Sequence, residues 1–155
     1  MGQQQLLLLV LGIVIVGLAV VVGINAFGEN DKKANADAMV TDALRIASDA
    51  QAWDLKPGQF GGSLDTEDLA TLVGAAGFDR IGYPNSGGVY ANVNGEFEFV
   101  GNNSCATAPT IPSGTAALVF VQGTNDERGN RVCVGIAGTR ATDIGTSIDY
   151  SYAAP

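Results

Sequence analysis

The chain has 155 residues, with 16 acidic and 8 basic side chains, a net charge of −8 and no histidine. This acidic balance disfavours binding to nucleic acid or to an anionic membrane surface, because both require a basic footprint. The lack of histidine excludes a Ser-His-Asp triad, a histidine-paired cysteine and a histidine-bearing zinc site. We therefore expect no catalytic activity and no cofactor.

The N-terminal segment carries no charge from Gln3 to Gly28 and is continuously apolar from Leu6 to Ile24. A helix over the apolar run is long enough to cross the ~30 Å hydrocarbon core of a bilayer. The segment lacks the basic start and the short apolar core of a secretory signal peptide. The segment therefore predicts a helix that is not removed as a signal peptide. A membrane or other copies of the chain must surround this helix. The predicted core residues of such an assembly are Leu6, Leu7, Leu8, Leu9, Val10, Leu11, Ile13, Val14, Ile15, Val16, Leu18, Val20, Val21, Val22 and Ile24.

A one-sided apolar pattern follows this run. Residues spaced three and four apart form a stripe that predicts an amphipathic continuation of the same helix: Ala36, Met39, Ala43, Ile46, Ala50 and Trp53. The helix should end at Lys56–Gly58, because proline and the residue before it disfavour helix. Gly23 and Gly28, at the join, indicate either local melting or close approach of neighbouring helices.

Short strands and turns are predicted after the helix. Asp65-Thr66 is a candidate cap for a short helix that stops at Gly74. Two segments, 89–93 and 96–100, flank Asn94-Gly95, the sequence typical of a two-residue hairpin turn. In that register Asn92 pairs with Phe97 and Tyr90 pairs with Phe99. Further strands are predicted at 116–121, 131–137 and 147–152, with a polar loop at 123–130.

Together these elements predict an α+β fold with a long N-terminal helix, apolar in its first half and amphipathic in its second, packed on a C-terminal antiparallel sheet. We expect an apolar helix at 1–28, its amphipathic continuation at 29–56 and a sheet domain at 57–155. The aromatic face of the hairpin needs a cover, and the helical stripe is the obvious one. The residues predicted to pack there are Met39, Ala43, Ile46, Ala50, Trp53, Tyr90, Phe97 and Phe99.

The cysteines and one polar loop are further candidate sites. Cys105 and Cys133 indicate a disulfide in a chain that looks exported, the alternative being two buried free thiols. Asn125, Asp126 and Glu127 lie in an oxygen-rich loop that could hold calcium, although it lacks EF-hand spacing, and a solvated turn is the simpler interpretation.

The layout as a whole resembles the type IV pilins: a very short leader ending in Gly2, an uncharged helix, an amphipathic continuation, a glycine-rich connection and a late disulfide in an antiparallel sheet. The resemblance implies cleavage by a prepilin peptidase between Gly2 and Gln3, followed by inner-membrane machinery that packs the helices into a filament. Leu7 occupies the position where most bacterial members carry a glutamate, which indicates a divergent branch.

The sequence therefore predicts a structural subunit of a type IV pilus-like extracellular filament whose main partner is itself. It would be inserted in the cytoplasmic membrane before assembly. The alternatives are a pseudopilin of a secretion or uptake system and a single-pass membrane-anchored binding module. An aromatic-lined cavity would favour the binding module.

Overall fold

The computed structural model describes residues 2–63, 68–102 and 105–152. The chain divides into two compact units, one through Ala34 and one from Asn35 onward, which we call the helical unit and the sheet unit. The division expected from sequence lies instead at residues 28 and 56. The boundary falls at Asn35 because that residue and Ala36 are the first to be buried. The amphipathic stripe thus belongs to the sheet unit.

Helix α1 spans Gly2–Asp54 and ends two residues before the predicted stop at Lys56. A last turn carries the chain onward, since the Leu55 amide donates to the Gln51 carbonyl at 3.1 Å. Within the sheet unit, one side of α1 is fully enclosed. Its buried residues comprise the predicted stripe together with three that the stripe did not include: Asn35, Ala47 and Gln51.

In the described part of the connection between α1 and the sheet, the chain forms two short 3₁₀ turns and one short helix. The turns span Gly58–Phe60 and Leu69–Leu72, and helix α2 spans Gly77–Ile81. Asp68 caps the second turn, because its side chain accepts a hydrogen bond from the Ala70 amide at 2.9 Å. The predicted cap at Asp65-Thr66 lies outside the described residues.

The sheet has five antiparallel strands in the order β1-β2-β3-β4-β5, so each strand pairs with its neighbour in sequence. The α+β prediction is therefore confirmed. The strands are β1 (Val89–Ala91), β2 (Glu96–Val100), β3 (Val119–Asn125), β4 (Asn130–Ile136) and β5 (Ile144–Asp149). Strand β5 begins and ends three residues earlier than predicted.

The predicted register of the first hairpin is wrong by two residues. Tyr90 pairs with Phe97, so the turn contains four residues, 92–95, rather than two. The Asn92 side-chain oxygen accepts hydrogen bonds from the amides of Asn94 and Gly95, which closes the longer turn. A shift of two residues leaves each side chain on the same face, and the aromatic face remains as predicted.

The predicted polar loop at 123–130 is much shorter in the structure. Strand β3 continues through Gly123 to Asn125, and β4 begins at Asn130. Glycine is needed inside this strand because a Cβ at Gly123 would lie 2.7 Å from the Phe97 ring. A glycine that indicates a loop in the sequence is here a site of close packing.

The core of the sheet unit lies between the stripe of α1 and one face of the sheet. Met39, Ala43 and Ile46 contact this core from the helix, and Phe97 and Phe99 contact it from β2. Tyr90 is half-buried against the same cluster. All eight residues predicted to join helix and sheet thus lie in or against one core.

Candidate functional site

The apolar surface of the helical unit is the most unusual feature of the chain. Every large hydrophobic side chain from Leu6 to Ile24 is 50–69% exposed, and Phe27 is 77% exposed. The exposed side chains are Leu6, Leu7, Leu8, Leu9, Val10, Leu11, Ile13, Val14, Ile15, Val16, Leu18, Val20, Val21, Val22 and Ile24. Soluble monomers rarely expose contiguous apolar patches of more than a few hundred Å², so this surface is unlike that of a typical soluble monomer.

Exposure extends around the whole circumference of the helix. Leu6, Leu7, Leu8 and Leu9 are consecutive, and each is more than 60% exposed. Successive helical residues are rotated by about 100°, so four in a row cover every face. A helix that is apolar on all sides is stable only when it is buried on all sides.

Among the described residues, one helix, α1, is long and apolar enough to cross a membrane, and it is near the N-terminus. At about 1.5 Å per residue, the run from Leu6 to Ile24 spans about 28 Å. That length matches the hydrocarbon core of a bilayer. The segment therefore fits either a lipid environment or a bundle of similar helices.

Glycines interrupt the apolar surface without interrupting the helix. Nothing lies within 4 Å of a Cβ built at Gly12, Gly17, Gly23 or Gly28. Helical structure is continuous from Gly23 to Asp31, so the local melting considered from sequence is not present in the single chain. The glycines are open notches at which another helix could approach closely.

The two residues of the predicted processing site lie at the start of α1. Gly2 is its first residue, and Gln3 is exposed. Met1 lies outside the described residues. Cleavage between Gly2 and Gln3 remains a prediction from the family resemblance.

The oxygen-rich loop is a hydrogen-bonded turn between β3 and β4. The Asn125 side chain donates to the Asn94 carbonyl at 2.7 Å and accepts from the Arg128 amide at 3.0 Å. Both ends of its amide are therefore engaged within the fold. Among the described residues, no three histidine, cysteine, aspartate or glutamate side chains are grouped so that they could hold a metal ion.

A disulfide joins Cys105 to Cys133, with the two Cα atoms 6.1 Å apart. Cys133 lies in β4, whereas Cys105 precedes β3 in a long loop. The bond therefore attaches that loop to a central strand of the sheet.

The aromatic residues of the sheet unit pack on one another. The ring centroids of Phe78 and Phe99 are 4.7 Å apart, and those of Tyr83 and Tyr90 are 5.0 Å apart. Burial, followed by a hydrogen bond from its hydroxyl to Asp49, raises the pKa of Tyr83 to about 12. Phe78 and Phe99 lie in the core of the sheet unit, and Tyr83 and Tyr90 pack against it.

Hydrogen-bonded asparagine side chains surround Asn35, where the buried part of α1 begins. The sequence pattern did not predict this network. Asn35 donates to the Asn94 carbonyl at 2.9 Å and accepts from Asn130 at 3.1 Å. Asp42 is half-buried, and its carboxylate accepts hydrogen bonds from the side chains of both Asn92 and Asn94. These contacts join residues up to 95 positions apart, so no local pattern could reveal them.

No protein-family model, no curated protein and no solved structure matches this chain.

Proposed function

We propose that the chain is a structural subunit of a type IV pilus-like extracellular filament, assembled by mutual burial of its N-terminal helices. One observation carries this proposal: the helical unit exposes apolar side chains on every face, while the sheet unit has a closed core of its own. The sheet unit does not need the apolar helix for its core. The helix is therefore available for contacts outside the chain.

The expected energy of assembly is large. Burial of apolar surface contributes about 25 cal/mol per Å², so enclosing a helix of this length yields tens of kcal/mol before entropic costs. Each helix would present one face to one neighbour and another face to the next. Such heterologous contacts generate an open helical polymer when the rotation between neighbouring copies does not close a ring.

The sheet unit has the chemistry of an exported domain. Its disulfide is typical of oxidising compartments outside the cytoplasm. The chain's net charge of −8 arises from the residues after Ala34, since Glu29, Asp31, Lys32 and Lys33 balance one another. In the proposed filament, these acidic domains form the outer layer and keep the fibre soluble.

The resemblance to type IV pilins supplies the route of assembly in this proposal. The helix would first be held in the cytoplasmic membrane, which its length and apolarity allow. A prepilin peptidase would cleave after Gly2, and membrane machinery would transfer the helix from lipid to filament. Both environments are apolar, so the transfer does not require exposing the helix to water.

The second candidate is a binding module held by a single membrane anchor. The ability of α1 to span a bilayer favours it. The packing of Phe78, Tyr83, Tyr90 and Phe99 on one another disfavours a ligand site on these four rings.

Electron microscopy of fibres sheared from producing cells, followed by peptide mapping, tests the proposal. We expect fibres whose main component yields peptides from residues 35–152. A chain beginning at Asn30 serves as the control, and it should sediment as a soluble monomer. Recovery of the full chain only from membranes, without fibres, would favour the anchored module. Short membrane-associated fibres would instead indicate a pseudopilin.

A further inference from the structure

The two ends of the sheet unit differ in their side chains, and α1 defines the distance between them. From Asn35 to Asp54 the helix extends about 28 Å. At the Asn35 end, the β1–β2 turn and the β3–β4 turn meet, because Asn35 and Asn125 both donate to the Asn94 carbonyl. At the other end, the Trp53 ring donates to the Gly61 carbonyl at 2.9 Å.

Val93 projects from the Asn35 end. It is 94% exposed, more than any other large hydrophobic side chain among the described residues. Its two neighbours are fixed, since Asn92 and Asn94 donate to the same Asp42 oxygen at 2.8 and 2.7 Å. A β-branched apolar side chain on a turn held in this way is preorganised for contact and loses little entropy on binding.

A groove of about 420 Å³ lies at the Trp53 end. Apolar atoms of Ala52, Trp53, Leu55 and Ile81 line it, and Asp49 also borders it. The Asp49 carboxylate is engaged by the hydroxyl of Tyr83. Most of the lining surface is apolar, and the volume of the groove exceeds that of a valine side chain.

The charges around these two features are complementary. A second groove lies at the Asn35 end, beside Val93. Its lining includes the exposed side chains of Glu96, Asp126 and Glu127 and one cationic residue, Arg128. Lys56 and Arg80 border the groove at the Trp53 end, with the Arg80 guanidinium 5.7 Å from the centre of the Trp53 ring. Complementary charge around an apolar contact favours docking in one register.

We infer that the sheet units of neighbouring copies dock end to end, with Val93 of one copy in the Trp53 groove of the next. The two features lie at opposite ends of the sheet unit, so they cannot meet within one copy. A contact between unlike surfaces of identical chains can repeat without closing, as a filament requires. This inference rests on the proposed filament, to which it adds a second interface outside the helical core.

Cysteine cross-linking in intact fibres tests the contact directly. The chain's two cysteines are bonded to each other, so an introduced pair supplies the only free thiols. We expect fibres of the Val93→Cys, Ala52→Cys double variant to give a ladder of covalent multimers after mild oxidation, and each single variant to give none. The control pair is Val93→Cys with Val73→Cys, since Val73 is exposed but borders neither groove. A ladder no stronger than that of the control would overturn the inference, as would cross-linking of Val93→Cys only to a different protein.

Charge reversal gives a second, independent readout. Lys56→Glu should lower the yield of sheared fibres by about tenfold, because like charges would then face each other across the interface. Glu127→Lys should restore that yield in the double variant. Wild-type yield from Lys56→Glu alone, or no rescue, would contradict the contact while leaving the helical core unaffected. If the wild-type chain forms no fibres at all, the proposed function itself fails.

Discussion

The two parts of α1 differ in what surrounds their apolar side chains. The large hydrophobic side chains from Leu6 to Ile24 are 50–69% exposed, whereas Met39, Ala43 and Ile46 on the same helix are at most 1% exposed. The difference follows from the sequence: the second part has one apolar stripe that a single sheet can cover, and the first part has apolar residues on every face. One helix therefore contributes to the core of a domain in its second part and exposes apolar side chains on every face in its first part.

A charge in the helical unit should have the largest effect. We expect Val14→Asp to abolish fibres, because a charge in an apolar helix bundle or bilayer costs about 2.5–3.5 kcal/mol at its centre. The sheet unit should stay folded, as circular dichroism and the intact disulfide would show. Val73→Asp, in the sheet unit, is the matched control and should still form fibres. Fibres from Val14→Asp at wild-type yield would contradict a buried core.

Loss of the disulfide should affect the sheet unit but not the helical core. A bond closing a loop over a sequence separation of 28 is worth about 3–4 kcal/mol on the loop-entropy model. We expect reduction to lower the melting temperature of the sheet unit, while existing fibres persist in electron micrographs. Mass spectrometry of unreduced protein should first show one linked peptide. Two alkylatable thiols in native protein would contradict the bond.

The same Ile→Ala substitution in each part of α1 compares a buried side chain with an exposed one directly. Ile46→Ala should destabilise the sheet unit by about 3 kcal/mol, because it opens a cavity in a closed core. Ile15→Ala removes the same atoms from the exposed surface and should leave the free energy of unfolding of the sheet unit unchanged. Chemical denaturation in detergent measures both. Equal losses would show that the core of the sheet unit depends on the exposed part of α1.

The smallest expected effect is a pH dependence confined to the sheet unit. The pKa of Tyr83 is about 12 in the folded chain, above its ordinary value of 10.0, chiefly because the ring is partly buried. The unfolded chain therefore loses this proton first, and the stability of the sheet unit should fall as pH rises from about 10 to 12. Tyr83→Phe should flatten that decline in denaturation measured at each pH. If the stability of Tyr83→Phe falls with pH as steeply as that of the wild type, groups other than Tyr83 cause the loss of stability at high pH.

The features predictable from sequence were those governed by periodicity. The stripe from Ala36 to Trp53 and the alternation of Tyr90, Phe97 and Phe99 identified the two faces that form the core. The uncharged run from Gln3 to Gly28 identified the exposed helix. Periodic patterns involve residues close together in the sequence, so they can be recognised before the fold is known.

The features that could not be predicted depend on contacts between distant residues. The first hairpin turn has four residues because Asp42, Asn35 and Asn125 bind its asparagines and backbone. Strand β3 passes through Gly123 because the Phe97 ring occupies the space of a side chain. Val93 gave one local signal, an apolar residue within the polar sequence Asn-Val-Asn-Gly, but only the structure shows that its turn is fixed and exposed.

Electron cryo-microscopy of the fibres tests the central claim most directly, because it shows what surrounds Leu6 to Ile24. We predict that these segments from different copies pack at interaxial distances of about 8–10 Å, as closely packed helices do. Their side chains should be enclosed by protein on every face. A map in which the fibre is held together by the sheet units alone, with Leu6 to Ile24 outside the protein contacts, would contradict the account.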